Sequence, residues 1–388
     1  MPSLKSIDAL FSQAVESKTM PGIVAAAVTD KGTLYEGAFG TREIGKNAPM
    51  TLDTVVWIAS MTKAITATAA MQLVERGKLS LDRPATDVVP ELAKAQVLDG
   101  FDGAGQPRRR ALKRPITLEH LLTHTAGFGY EIWRPEIAQY QQVTNTPGIT
   151  TCTNAALTTP LLFDPGDRWE YGINIDWAGK MVEAAAGQKL DRYFQDNILG
   201  PLGMKDTSFK LSPSQRARLS AMHQRDDKGA LAPIEFALPE DPEFLMGGGG
   251  LYGTAADYLA FAQMIMQGGT HKGAQVLRRE TVDLMAQNHI GPLEIGVMKT
   301  AIPSLSNDVE LFPGMSKKWG LSFLINTQTA PTGRSAGSLA WAGLANTYFW
   351  IDRTKRVCGV FLSQLLPFYD HTAIDLFGTF ETEVYRAV

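Results

Sequence analysis

Ser60 and Lys63 stand three residues apart, where an extended apolar run (Val55-Val56-Trp57-Ile58-Ala59) gives way to a long helical pattern. Residues three apart on a helix share a face, so the hydroxyl and the amine are neighbours one turn apart, at a helix N-terminus. A hydroxyl beside a potential base, with free backbone N–H groups around it, has the parts that acyl transfer needs. The pair alone is weak evidence. The same spacing fits Ser60 as a plain N-cap and Lys63 as a solvated side chain.

Three further stretches add weight. In Asp164-Pro165-Gly166-Asp167-Arg168-Trp169-Glu170-Tyr171-Gly172-Ile173-Asn174, a tyrosine follows a Pro-Gly turn and precedes a helix, so its hydroxyl sits on a loop edge and can enter a cleft. His124-Thr125-Ala126-Gly127-Phe128 is a turn just after a helix. Trp341-Ala342-Gly343 lies inside a C-terminal strand pattern, and glycine in a strand often marks close approach of another backbone or a ligand.

The elements that must position these residues read as follows. An amphipathic helix runs to about residue 16. Residues 22–28 read as a buried strand, Asp30-Lys31-Gly32 as a turn, and 33–39 as the returning strand of a hairpin. A short strand over 54–58 runs into the Ser60 helix, which carries Ile65, Ala69, Leu73 and Val74 at helical spacing and stops near Gly77. Residues 101–106 and the run Arg108-Arg109-Arg110 read as a surface loop. A helix follows, with Thr117 as N-cap. The middle of the chain, to about residue 244, shows mostly helical patterns between Pro/Gly loops, 176–186 being the clearest. The run Gly247-Gly248-Gly249-Gly250 has neither a P-loop Lys-Ser/Thr nor Rossmann spacing, so it reads as close backbone packing beside a cleft. Strands are expected over 319–326, 338–342, 346–351 and 356–362, and a last helix over 370–385. Strands at both ends and helices between imply an α+β fold: one antiparallel sheet built from both termini and flanked by helices, with an inserted, mainly helical lobe. The expected boundaries are 1–85 with 245–388 for the sheet domain and 86–244 for the lobe, with the cleft between them.

The chain has 388 residues, 44% of them hydrophobic, which is ample for a large core. With 37 basic and 40 acidic residues and a net charge of −3, nothing points to nucleic acid or an anionic membrane as partner. No apolar run approaches the ~18 residues of a bilayer span, and no basic stretch followed by a long apolar core heads the chain. A soluble cytoplasmic protein is the expectation; the oligomeric state is open. Cys152 and Cys358 read as two separate buried thiols.

Taken in order, Ser60-x-x-Lys63, the His124-Thr125-x-Gly127 turn, Tyr171 and Trp341-x-Gly343 resemble the serine β-lactamase and penicillin-binding-protein superfamily. The resemblance is greatest to its class C-like carboxylesterases, the family VIII esterases, and it covers nearly the whole chain. It implies two-step covalent catalysis without a cofactor or metal. Ser60 would attack an ester carbonyl, and Lys63 and Tyr171 together would move the proton. The oxyanion hole would use the backbone N–H groups of Ser60 and Leu344. Unperturbed, Lys titrates near ~10.4 and Tyr near ~10, so one must shift by roughly 3 pH units, about 4 kcal/mol, to act near neutrality. Either a neutral Lys63 or a Tyr171 phenolate beside a charged Lys63 satisfies that need.

Two departures from the lactamase pattern matter. Ile173 occupies the place of the asparagine two residues after the tyrosine, and Asn174 is one place too late. Trp341-Ala342-Gly343 replaces Lys-Thr-Gly, so a neutral indole stands where a cation would hold a substrate carboxylate. Both favour small neutral esters as substrates, and Trp341, Gly343, Tyr130, Phe128 and Trp133 are the candidate cleft residues. The expectation is a serine carboxylesterase for short-acyl esters. The alternatives are a β-lactamase, a D-amino-acid amidase or peptidase, an acyltransferase and a non-catalytic binder on the same fold. Gly333-Arg334-Ser335-Ala336-Gly337 matches Gly-x-Ser-x-Gly, but a polar, proline-broken segment precedes it, so Ser335 reads as a loop residue. His120 and His124 are spaced i, i+4 without His-Glu-x-x-His, so no metal is expected and His124 reads as a structural hydrogen-bonder.

Overall fold

The computed structural model describes residues 4–388. Seven strands form its central sheet: β1 (Gly22–Thr29), β2 (Gly32–Gly40), β3 (Lys317–Trp319), β4 (Leu324–Asn326), β5 (Leu339–Gly343), β6 (Thr347–Asp352) and β7 (Val357–Leu362). Their spatial order is β3-β4-β5-β6-β7-β1-β2, antiparallel throughout. The last strand of this sheet in chain order thus pairs with the first, with Ala26 opposite Val360.

Strands β5, β6 and β7 are buried at every residue, which requires cover on both faces. One face receives the terminal helices α1 (Lys5–Glu16) and α6 (His371–Arg386). The other receives α5 (Ala255–Met266), whose Thr254 N-cap accepts from the Asp257 N–H. The period of two along β6 sorts its aromatics. Tyr348 and Trp350 meet Phe377 and Phe380 of α6, and Phe349 meets Tyr258 of α5.

Between the sheet and the middle of the chain lies α2 (Thr62–Glu75), buried at every position from Thr62 to Leu73. A helix buried all round must satisfy its polar side chains internally. Thr66 donates to the Gly247 carbonyl, and Gln72 to the carbonyls of Asn197 and Val276. Helix α4 (Asn174–Ala186) packs against α2, and the short α3 (Leu118–Leu122) packs against α4. Thr117 caps α3 as the sequence predicts, its hydroxyl accepting from the His120 N–H.

The differences from the sequence reading are local. The strand expected over 319–326 is two strands, because Gly320 meets the Met285 carbonyl where any side chain would collide and Ser322 has φ +74°. Of the loop expected over 101–110, residues 102–106 are the turn of a hairpin, and the arginine run is part of the strand Pro107–Arg110 that pairs with Val97–Phe101. The middle of the chain contains a second hairpin, Met222–Arg225 with Leu231–Ile234, which pairs in parallel with Leu365–Leu366. Both cysteines are buried and unbridged. No helix among the described residues is long and apolar enough to cross a membrane.

Candidate active site

Ser60 sits in a single 3-10 turn, Ala59–Met61, rather than in the α-helix itself. The preceding Ala59 has φ +46°, a left-handed conformation that costs an L-residue roughly 1 kcal/mol. Neighbouring bonds hold it there. Thr62 donates to the Ala59 carbonyl at 2.7 Å, the Leu251 N–H donates to Thr62 at 3.1 Å, and the Ile58 N–H donates to the Leu251 carbonyl at 3.1 Å. Such strain marks functional sites when its surroundings enforce it. Here it leaves Ser60 half-buried at the wall of a cleft with about 540 Å3 of open space.

Lys63 follows on the first turn of α2 and is 1% exposed, so it is not a solvated side chain. Its Nζ lies 3.0 Å from Ser60 Oγ, 3.1 Å from the Tyr130 hydroxyl and 2.6 Å from the Gly248 carbonyl oxygen. It also sits over the Tyr171 ring, 4.7 Å from the centroid. Burial pushes the lysine down to about 7, against attraction from Asp176. The same burial pushes the Tyr171 phenol upward, against hydrogen bonds with Ser60 and Trp341. Of the two ways to obtain a base near neutrality, these directions favour neutral Lys63 with Tyr171 protonated. With two N–H bonds directed at Gly248 and Tyr130, the lone pair of a neutral Nζ is left for the serine proton.

Tyr171 reaches the cleft just before α4. Its hydroxyl accepts from Trp341 Nε1 at 2.9 Å, and the two rings meet edge to face at 4.9 Å. Trp341 is backed in turn by Trp319 at 4.7 Å. Behind Tyr171 stands His124, fully buried with φ +57°. Its Nδ1 lies 3.0 Å from Asn174 Nδ2 and 3.4 Å from the Gly172 N–H. An Nδ1 that accepts places the ring proton on Nε2, and burial holds the ring neutral. Asn174 is spent on this contact and on the carbonyls of Phe128 and Glu170, so it braces the loop from outside the cleft.

Gly343 joins the sheet to the Ser60 turn. A Cβ there would overlap the Ile58 carbonyl oxygen and Thr347 Oγ1, and would press on Ala59 Cβ at 3.1 Å. Only glycine lets the end of β5 lie against the Ala59–Met61 turn, which brings Leu344 and Ser60 to the same cleft. Gly343→Ala is therefore expected to displace the Leu344 N–H and lower kcat/KM by roughly a hundredfold. Ester turnover measured beside the thermal midpoint checks this. Unchanged turnover in a folded variant would remove β5 from the site.

The cleft walls are apolar, with Trp57, Ile132, Trp133, Ile149, Leu344 and Phe368 facing the Ser60 turn. None of the described residues lining it carries a charge. Tyr130, Trp133, Trp341 and Gly343 line it as the sequence predicts. Phe128 does not. It is buried, and its ring stacks on Trp177 at 6.3 Å, a packing that holds it out of the cleft. Ser335 does not line this cleft; it is in the loop before β5, with its N–H donating to Asp352. His120 closes a capping box with Thr117. Among the described residues no group of three or more His, Cys, Asp or Glu side chains is placed to hold a metal ion.

Two features of the site have no signal in the sequence. The Tyr130 hydroxyl is within hydrogen-bond distance of Lys63, where a wall residue was expected. Asp176, in the first turn of α4, is completely buried and accepts the Gly248 N–H at 2.8 Å. That contact explains the glycine at 248, since a Cβ there would lie 2.5 Å from Asp176 Oδ2.

The chain matches known proteins over most of its length. The Beta-lactamase family model matches residues 7–377. ML-236A carboxylate methylbutanoyltransferase from Penicillium citrinum is 33% identical over 99% of this chain and 95% of its own length. The lovastatin esterase of Penicillium rubens is 33% identical over 98% of both chains. A simvastatin synthase structure from Aspergillus terreus superposes with a TM-score of 0.88 at 32% identity, covering 99% of this chain and 97% of that one. The chain therefore belongs to the beta-lactamase family and is an enzyme of the serine hydrolase and acyltransferase superfamily.

Proposed function

We propose that the chain is a serine carboxylesterase of the family VIII kind, which takes a short acyl group from a small neutral ester onto Ser60 and passes it to a hydroxyl. The observation that carries this reading is a 3.0 Å contact between Ser60 Oγ and a buried Lys63, at the wall of a cleft lined by no charged side chain. Lys63 takes the serine proton as Oγ attacks the carbonyl. The N–H groups of Ser60 and Leu344 receive the developing oxyanion. Tyr171, whose oxygen accepts from Trp341, gives its O–H proton to the departing alcohol and regains one from Lys63, so the serine proton ends on the alcohol. The acyl-enzyme then reacts with a second hydroxyl, and the proton returns by the same groups. We assign residues 1–85 and 245–388 to one domain and 86–244 to the other. In support, the cleft is lined by Trp57, Ser60 and Trp341 from the first set of residues and by Tyr130, Ile149 and Tyr171 from the second.

The second hydroxyl is water in an esterase and an alcohol in an acyltransferase. The apolar walls also give an organic alcohol a place to bind, so transfer can accompany hydrolysis. The relatives span both outcomes, methylbutanoyl transfer and ester hydrolysis. Turnover of p-nitrophenyl butyrate, alone and with an added primary alcohol, tests the proposal against nitrocefin turnover. Ester cleavage is expected, with the butyrate ester of the alcohol as an additional product. Nitrocefin cleavage without ester cleavage would sink the reading.

A further inference from the structure

We propose that Asp176 is a positioning residue for Lys63: it fixes the Gly248 carbonyl to which the lysine is bonded and supplies the negative charge against which Lys63 gains and loses its proton. The proposal rests on the acyl-enzyme reading of Ser60. Asp176 lies wholly out of solvent, and its Oδ1 accepts the Gly248 N–H at 2.8 Å while the carbonyl of the same residue accepts from Lys63 Nζ at 2.6 Å. The carboxylate thus grips one side of Gly248 and the lysine the other. Oδ2 has no hydrogen-bond partner among the described residues.

Burial opposes the charged form of Asp176 and pushes the carboxyl up to about 6, against attraction from Lys63. A need to accept one backbone N–H would be met more cheaply by asparagine. The costlier residue makes sense if its charge is used, and the nearby ionisable group that benefits is Lys63. The other titratable groups packed around the pair do not compete. Burial keeps Tyr130 and Tyr171 as phenols and His124 as a neutral ring. Cys152 is pushed up to about 12, and Glu131 is also raised by burial.

The test is the pH profile of kcat/KM for p-nitrophenyl butyrate in Asp176→Asn. Asparagine can still accept the Gly248 N–H but carries no charge. The carboxylate raises the lysine, so removing it lowers the lysine, and the acid limb should move to lower pH by about one unit or more. The plateau should fall roughly tenfold, because a less basic amine takes the serine proton less readily. Asp176→Ala, which loses the bond as well, should be slower than Asp176→Asn at every pH. An acid limb that stays in place in Asp176→Asn overturns the proposal. Failure of Asp176→Asn to fold also overturns it, by making Asp176 a folding residue. A Ser60→Ala protein that retains full activity would refute the acyl-enzyme reading instead, so the two failures are distinguishable.

Discussion

Ser60→Ala is expected to lower kcat/KM for short-acyl esters by at least roughly ten-thousandfold while the protein keeps its fold. The loss is large because the step removed is bond formation itself, and the remaining groups act as a unit with the nucleophile. The other hydroxyls on the cleft wall are Tyr130, Thr150 and Tyr171. Burial keeps the two phenols protonated, and the bonds of Lys63 run to Ser60, Tyr130 and Gly248 rather than to Thr150. Ser335→Ala is the matched control and should turn over ester at the wild-type rate, since that serine sits in the loop before β5 and bonds to Asp352. The reverse pattern, an inactive Ser335→Ala and an active Ser60→Ala, would move the chemistry to another site.

Lys63→Ala should cost roughly a thousandfold, about 4 kcal/mol, the scale of a well-placed general base. Its pH dependence carries more information than its size. Burial holds the lysine near 7, so the base is neutral above that pH and protonated below it. Wild-type kcat/KM should therefore fall by about tenfold per pH unit on the acid side of 7, and this limb should vanish in Lys63→Ala. Lys63→Arg separates the two possible bases. Arginine keeps the positive charge at all accessible pH values and cannot accept the serine proton. If neutral Lys63 is the base, Lys63→Arg is as slow as Lys63→Ala. If a cation-stabilised Tyr171 phenolate were the base, Lys63→Arg would retain much of the activity.

The parts of this site that sequence made legible are those set by local spacing. Ser60 and Lys63 are one turn apart whatever packs around them, and Gly343 in a strand announced the close approach that the Ile58 carbonyl makes. The sheet was readable from both ends because unbroken apolar runs such as 22–28 and 356–362 need cover on two faces. What was hidden depends on contacts between distant segments. Asp176 looks like any acidic residue at a helix start, and only the fold brings Gly248 to it. Phe128 follows the right motif, but its ring packs on Trp177 instead of facing the cleft. The arginine run 108–110 reads as loop because its polar residues carry no strand pattern, yet it pairs with Val97 and Leu98 in an edge hairpin.

The central claim is a covalent acyl group on Ser60, and mass spectrometry of the protein quenched during turnover of p-nitrophenyl butyrate tests it most directly. One butyryl group per chain is predicted, mapped to the peptide containing Ser60 and absent from Ser60→Ala. An adduct on any other residue, or ester turnover with no adduct under conditions where deacylation is slow, would contradict it.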